Sequence, residues 1–423
     1  MEAILQESTI YRRRERLSKI TDGSGLEGAY GTTIERIRAQ GGDKARLGIG
    51  ALMWISYAEV PLGPDAPCHA LAIELGSTDF NAGSIPSIST LVSCFQGLIT
   101  VDKEESGVRL IHFTLKEYFS AHPDIFSRPH SAMAEVCLTY LNSQKVKGLS
   151  ADSFANSATD SGDDSIDDSG DDSAADSDDD SLNDFGDDFS VYSSDIIYDT
   201  PFLEYCSLYW AVHAKRELSE HSRSLALQLL QEFDGHVSAE LLLRAERSLL
   251  VGYSGTFSPL SGLHCASFFG IIEIVVALID MGCCDANGVD FGGYTPLAWA
   301  ASKGHEEVVK ILLGSEEIDP DKPDKNCRTP LSYAAEEGHE EVVKILLGRK
   351  EVDPEKSDIH ERTPLSHAAE RGVEGVVNIL LGRTRLVPIR QIIRAERRSH
   401  MRLDLIICRV GTTHCQLGKA PQA

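Results

Sequence analysis

The 423-residue sequence predicts a mainly α-helical chain whose C-terminal part is a solenoid of short helix pairs. Three observations lead there. Thr295-Pro296-Leu297, Thr329-Pro330-Leu331 and Thr363-Pro364-Leu365 recur every 34 residues, and self-similarity at a fixed period marks stacked repeats. Residues 28–145 carry helical periodicity broken by one pair of β-rich runs. Between these parts the acidity concentrates. Residues 150–195 hold 16 Asp and no Lys or Arg, leaving −9 of the net −25 on the other 377 residues.

The N-terminal elements come first. Residues 1–27 read as a short helical segment. Helical patterns follow at Thr32–Arg38 and Ala45–Ser56, then a Pro61–Pro67 turn, Cys68–Leu75 and Ser87–Phe95. Leu98–Asp102 and Val108–Phe113 flank the charged turn Lys103–Gly107 and predict a hairpin, and Ala132–Leu141 closes the unit as a helix. Helix–helix–helix–hairpin is winged-helix order. Ser84–Leu98, in the position of a recognition helix, has no Lys or Arg, so it offers nothing to neutralise DNA phosphates.

Residues 146–198 predict an acidic, self-repelling, disordered linker. Within it Ser161, Ser165, Ser169, Ser173, Ser177 and Ser181 each have Asp three residues on, the pattern an acidophilic kinase reads. Residues 199–257 predict a helical connector. The blocks TPLAWAASKGHEEVVKILLG, TPLSYAAEEGHEEVVKILLG and TPLSHAAERGVEGVVNILLG follow, the first two identical at 16 of 20 positions. Thr295 caps a first helix with Pro296 at its first position, where a missing N–H costs nothing. Gly304 ends that helix in a left-handed cap, and Glu306 opens a second helix with Val308, Val309, Ile311, Leu312 and Leu313 on its apolar face. The linker Glu317–Asp324, with Pro320 and Pro323, predicts an extended hairpin arm. Ser261-Gly262-Leu263-His264 begins a divergent copy one period earlier.

These blocks resemble ankyrin repeats over residues 258–382, about four copies with the first and last divergent. The resemblance implies hairpin tips and first helices lining a concave, partner-binding face. It falls on Phe291, Tyr294, Lys325, Asn326, Arg328, Ile359, His360 and Arg362 at the tips. On the first helices it falls on Trp299, Ser302, Lys303, Tyr333, Glu336, Glu337, His367, Glu370 and Arg371, with Trp299 and Tyr333 either aromatic anchors or packing residues. The usual tip glycine is present at Gly293 but replaced by Cys327 and Glu361, which predicts strained or reshaped turns. The strings LMWISYAEVPL, CHALAIELGSTDF and VRLIHFTLKEYF resemble the winged-helix domain, of GPI inositol-deacylase type, found in fungal-type NACHT–ankyrin proteins. That resemblance implies a scaffold following a NACHT ATPase and makes residues 1–27 a remnant of the NACHT lid region.

Catalysis is not expected. No G-x-x-x-x-G-K-[ST] occurs, so nucleotide has no phosphate cradle, and the chain reads as the C-terminal part of such a receptor. Gly252-Tyr253-Ser254-Gly255-Thr256 lacks the fifth glycine of a nucleophile elbow. His305-Glu306-Glu307-Val308-Val309 lacks the second histidine of a zinc-protease helix. His264, Cys265, Cys283 and Cys284 fit no ligand spacing, so no metal or cofactor is expected. Residues 383–423 carry a net +7 and form an atypical basic tail that abandons the repeat. The sequence therefore predicts a cytoplasmic, non-catalytic scaffold that binds protein partners through its repeats, with no nucleic acid and no membrane. Its alternatives are a regulator or decoy of NACHT-type receptors and a truncated receptor fragment.

Overall fold

A computed structural model describes residues 24–77, 81–102, 107–149, 200–245 and 260–382. The serines from Ser161 to Ser181, the linker around them, residues 252–256 and the basic tail lie outside these. The described residues are mainly helical, with 18 α-helices and one two-stranded sheet. They divide into two compact units, residues 1–213 and 214–423.

The first unit follows the predicted order. Helices α1 (Ser24–Ala39), α2 (Gly42–Tyr57), α3 (Asp65–Ala72) and α4 (Ile88–Cys94) precede strands β1 (Ile99–Asp102) and β2 (Gly107–Leu110). Ser87 caps α4 by accepting the Thr90 N–H. The strands pair antiparallel, with Ile99 opposite Leu110 and Asp102 opposite Gly107. Ile37, Ala51, Leu52, Leu91, Cys94, Leu115 and Phe119 are fully buried and form the centre of this core. One expectation fails at the end of the hairpin. The run Val108–Phe113 predicts a strand to Phe113, whereas β2 ends at Leu110; one more rung, Ile111 N–H to Leu98 O at 2.9 Å, follows it, and Ile111 and Phe113 are 53% and 71% exposed. An unpredicted helix α5 (Thr114–Ala121) starts there, burying Leu115 and Phe119. Helix α6 (Pro129–Leu141), the short α7 (Gln144–Lys147) and α8 (Leu203–Arg216) follow, and Trp54 of α2 packs edge-on against Phe202 at 5.2 Å.

The second unit begins with α9 (Glu220–Gln231) and α10 (Val237–Ala245), followed by four helix pairs. Their first helices are α11 (Gly262–Phe269), α13 (Pro296–Ser302), α15 (Pro330–Glu337) and α17 (Pro364–Arg371), whose starts are spaced by the 34-residue period. The second helices are α12 (Ile272–Met281), α14 (Glu306–Leu313), α16 (Glu340–Leu347) and α18 (Glu374–Leu381). First helices stack on first helices and second on second, which is how a repeat covers an apolar face it cannot bury alone. The predicted caps are present. The Thr295, Thr329 and Thr363 hydroxyls accept the N–H groups of Ala298, Ser332 and Ser366 at 3.1, 3.3 and 3.3 Å. Gly304 has φ +71°, and the ring of His339 from the next pair lies where its Cβ would be.

The divergent first copy has its own reason. A Cβ at Gly262 would lie 2.1 Å from the Leu230 carbonyl oxygen of α9, so this copy cannot carry the proline of the others. In the segment 317–324, predicted as an extended hairpin arm, residues 317, 320 and 321 form turns, with Asp319 Oδ1 accepting the Asp321 N–H at 3.0 Å. Residues 322–324 run on to the tip, where the Asp324 N–H donates to Arg328 O at 2.9 Å. Prolines at 320 and 323 supply no N–H for a ladder, which leaves side-chain acceptors to organise the backbone.

Candidate partner-binding surface

Three hairpin tips, centred on Gly293, Cys327 and Glu361, stand at the starts of the first helices α13, α15 and α17. Each is tied off by one buried aspartate. Asp290 Oδ1 accepts the Tyr294 N–H at 2.9 Å. Asp324 Oδ1 accepts those of Asn326 and Arg328 at 2.8 and 2.7 Å, and Asp358 Oδ1 those of His360 and Arg362 at 2.8 and 2.9 Å. The second carboxylate oxygen turns inward to the side chain nine residues on. It accepts the Trp299 Nε1–H at 2.9 Å in the first tip and the Tyr333 hydroxyl at 2.5 Å in the second. In the third it lies 3.2 Å from His367 Nε2. Burial pushes the Asp290 carboxyl upward against these hydrogen bonds. Burial also acts on Asp358, but the Arg362 and His360 N–H groups and the Arg362 guanidinium outweigh it and hold Asp358 low.

Burial corrects Tyr294, Ser302 and His367 as candidate contacts, and for Trp299 and Tyr333 it favours packing over the anchor alternative. Tyr294, Trp299, Ser302, Tyr333 and His367 are buried, at 9% exposure or less. Trp299 and Tyr333 both pack on Tyr294, with ring centroids 5.2 and 5.0 Å away. Their polar tips are satisfied by the aspartates, so they are packing residues and not open anchors. The sequence missed Asp290, Asp324 and Asp358, although their 34-residue period and nine-residue offset from Trp299, Tyr333 and His367 are written in it.

The charged candidates are half-buried or exposed, and several neutralise each other. Arg328 and Glu336 form an ion pair, and Arg328 lies over the Tyr333 ring at 4.0 Å. Glu336 also meets Arg371 of the next repeat at 3.1 Å, while Arg362 reaches Asp358 at 2.9 Å and Glu370 at 3.5 Å. Burial opposes ionisation of Glu336, yet Arg328 and Arg371 hold its carboxyl below the usual range. Lys303 sits over the Phe268 ring at 4.6 Å, and Lys325 over Phe291 at 3.7 Å.

The rest of the candidates reach solvent. Lys325, Asn326, Glu337, Ile359, His360 and Arg371 are exposed, and Ile359 is 56% exposed despite being apolar. Backbone rungs join the tips: Lys325 N–H donates to Gly292 O at 3.1 Å and Ile359 N–H to Asn326 O at 3.0 Å. The tips therefore form a continuous, braced edge.

Residues 297–347 match the family model described as Ankyrin repeats (many copies). Ankyrin repeats are present in this chain. The match spans α13 to α16, and the same caps and 34-residue spacing extend through α17 and α18. No curated protein matches the chain. Ankyrin repeats are interaction modules, so a role in protein–protein interaction follows.

Two further sequence candidates, His305 and His264, take part in packing contacts. His305 Nε2 lies 2.8 Å from Phe268 O of the preceding repeat, and His339 Nε2 lies 2.9 Å from Ser302 O. Ser261 Oγ lies 2.7 Å from His264 Nδ1, and the Gly288 and Tyr294 carbonyls accept from His264 Nε2 at 3.2 and 3.1 Å. Both ring nitrogens of His264 thus have hydrogen-bond partners. Among the described residues, no helix is long and apolar enough to cross a membrane.

Proposed function

We propose that this chain is a non-catalytic interaction protein that grips a protein partner with the braced edge of its ankyrin hairpins. The observation that carries this reading is the backbone at Cys327 and Glu361. Both are left-handed, at φ +61° and +60°, where Gly293 stands in the preceding tip. A side chain there costs roughly 1–2 kcal/mol over glycine. Two successive tips bear that cost, and in both the side chain is exposed. A surface kept for packing alone has no use for them.

The contact set is then Lys325, Asn326, Ile359 and His360 with Cys327 and Glu361, flanked by Phe291, Lys303, Arg328, Glu336, Glu337, Arg362, Glu370 and Arg371. The variant Cys327→Gly/Glu361→Gly separates recognition from folding. It should melt higher, by about 1 kcal/mol per site, while capturing less partner in quantitative affinity isolation. Lys325→Glu/Ile359→Asp should abolish capture with little change in melting. A captured set unaltered by both variants sinks the tip reading.

The first unit we read as a winged-helix scaffold of the kind in NACHT–ankyrin proteins. Its support is the order α2, α3, α4, then the β1–β2 hairpin. Helix α4 has neither Lys nor Arg, which argues for packing over DNA contact. On that order rests the second reading, a regulator or decoy of NACHT-type receptors, which co-purification with an ATP-binding partner distinguishes. The described cysteines are free thiols, which suits a reducing cytoplasm.

A further inference from the structure

The first unit brings together three side chains that the sequence separates widely. Glu59 follows the end of α2, His130 lies in the first turn of α6, and His213 in the last turn of α8. One ligand atom from each lies within 4.8 Å of the others. We propose that Glu59, His130 and His213 bind a single zinc-type divalent cation, which staples α8 to α2 and α6 inside this unit.

Two facts favour a cation here over an ordinary polar cluster. The histidines meet Nδ1 to Nδ1 at 2.8 Å, with rings stacked at 5.1 Å, so two identical ring atoms share one proton. A cation replaces that proton and accepts both lone pairs. Two nitrogens on tetrahedral zinc stand about 3.3 Å apart, so the pair must open by roughly half an ångström. The second fact is the support behind His213. Its other nitrogen, Nε2, lies 2.7 Å from the Tyr205 hydroxyl, whose oxygen also accepts the Glu59 N–H at 3.3 Å. With the proton on Nε2 donated to Tyr205, Nδ1 of His213 presents its lone pair to the ion. Outer-shell hydrogen bonding of this kind fixes a ligating histidine's tautomer and orientation. His213 is fully buried, while Glu59 and His130 are half-buried, which leaves a side for water as the fourth ligand. Two imidazoles and a carboxylate suit zinc, and cobalt(II) reports the same geometry spectroscopically.

The test is a Co2+ titration of the chelator-treated full chain, followed by Zn2+ displacement. One equivalent should bind with the ligand-field bands of a four-coordinate nitrogen–oxygen site and without thiolate charge transfer. His130→Ala and Glu59→Gln change half-exposed side chains, and each should weaken binding by roughly 100-fold or more. Tyr205→Phe should keep the stoichiometry and weaken binding by about tenfold, as loss of an outer-shell partner does. Absence of binding to the wild type overturns the proposal. So does a spectrum dominated by thiolate bands, or an affinity that neither His130→Ala nor Glu59→Gln lowers.

Discussion

Asp324 shows how much one residue carries in this molecule. Its carboxylate accepts two backbone N–H groups across the tip and the Tyr333 hydroxyl beneath it, while itself buried at 7% exposure. Asp324→Ala removes the acceptor of three donors at once. The Tyr333 hydroxyl is buried, and a buried donor left unsatisfied costs about 1–3 kcal/mol, while the two part-buried N–H groups at the tip add less, so a loss of about 2–4 kcal/mol is expected in denaturant unfolding. Asp324→Asn keeps one oxygen for the backbone and turns an amide toward the phenol oxygen, so it should lose only about 1 kcal/mol. Equal losses for the two variants would mean that the aspartate acts by charge. The sequence conceals this role. An Asp in a turn reads as solvated, His367 reads as a contact, and Trp299 and Tyr333 read as either anchors or packing residues. Only their common offset of nine residues distinguishes a buried carboxylate–aromatic pair from a polar surface.

At the scale of elements, the helix pairs were legible because their signals are local. Thr-Pro caps, small residues at 300 and 301 and the apolar run 308–313 lie within one turn or two of what they determine. Helix α5 is not legible, because the apolar Ile111 and Phe113 extend the β-pattern up to the residue before it, although both side chains are exposed. The turns at 317 and 320–321 are not legible for a similar reason. Proline fixes φ but does not say whether a side chain will fold the backbone into turns. Gly262 shows the same limit at the divergent repeat. Its meaning lies in the Leu230 carbonyl of α9, 32 positions away in sequence and 2.1 Å from where a Cβ would stand. Backbone on both sides leaves no flexible side chain to yield. Gly262→Ala should therefore push α11 from α9 and cost about 1–3 kcal/mol. Hydrogen exchange should show the added opening first in α9 and α11, and unchanged protection there would refute the close approach.

At the scale of the whole molecule, the net charge of −25 belongs to acid residues, yet histidines govern the pH response of the repeats. His264, His305 and His367 all lie in the second unit and are held down to about 4. Burial is the main cause in each, joined by Lys215 for His305 and by the Arg328 and Arg362 guanidinia for His367. The unfolded chain takes up these protons near the ordinary histidine value of 6.5, and the folded chain only near 4. Between those limits the unfolded state binds more protons. The stability held above pH 6.5 is therefore lost progressively as pH falls toward 4, by up to three protons' difference. Below 4 the histidine slope ends. Glu336, held low by Arg328 and Arg371, and Asp358, held low by backbone N–H groups and Arg362, then continue the loss. Asp290, raised above 3.8 by burial, opposes the loss only above 3.8, within the histidine window. Melting of the helical signal should fall steadily from neutral pH into this window. His264→Gln, whose amide can still donate toward the Gly288 and Tyr294 carbonyls, should flatten the slope by up to one proton. A melting temperature level from pH 6.5 to 4 would show that the three rings gain protons as readily folded as unfolded.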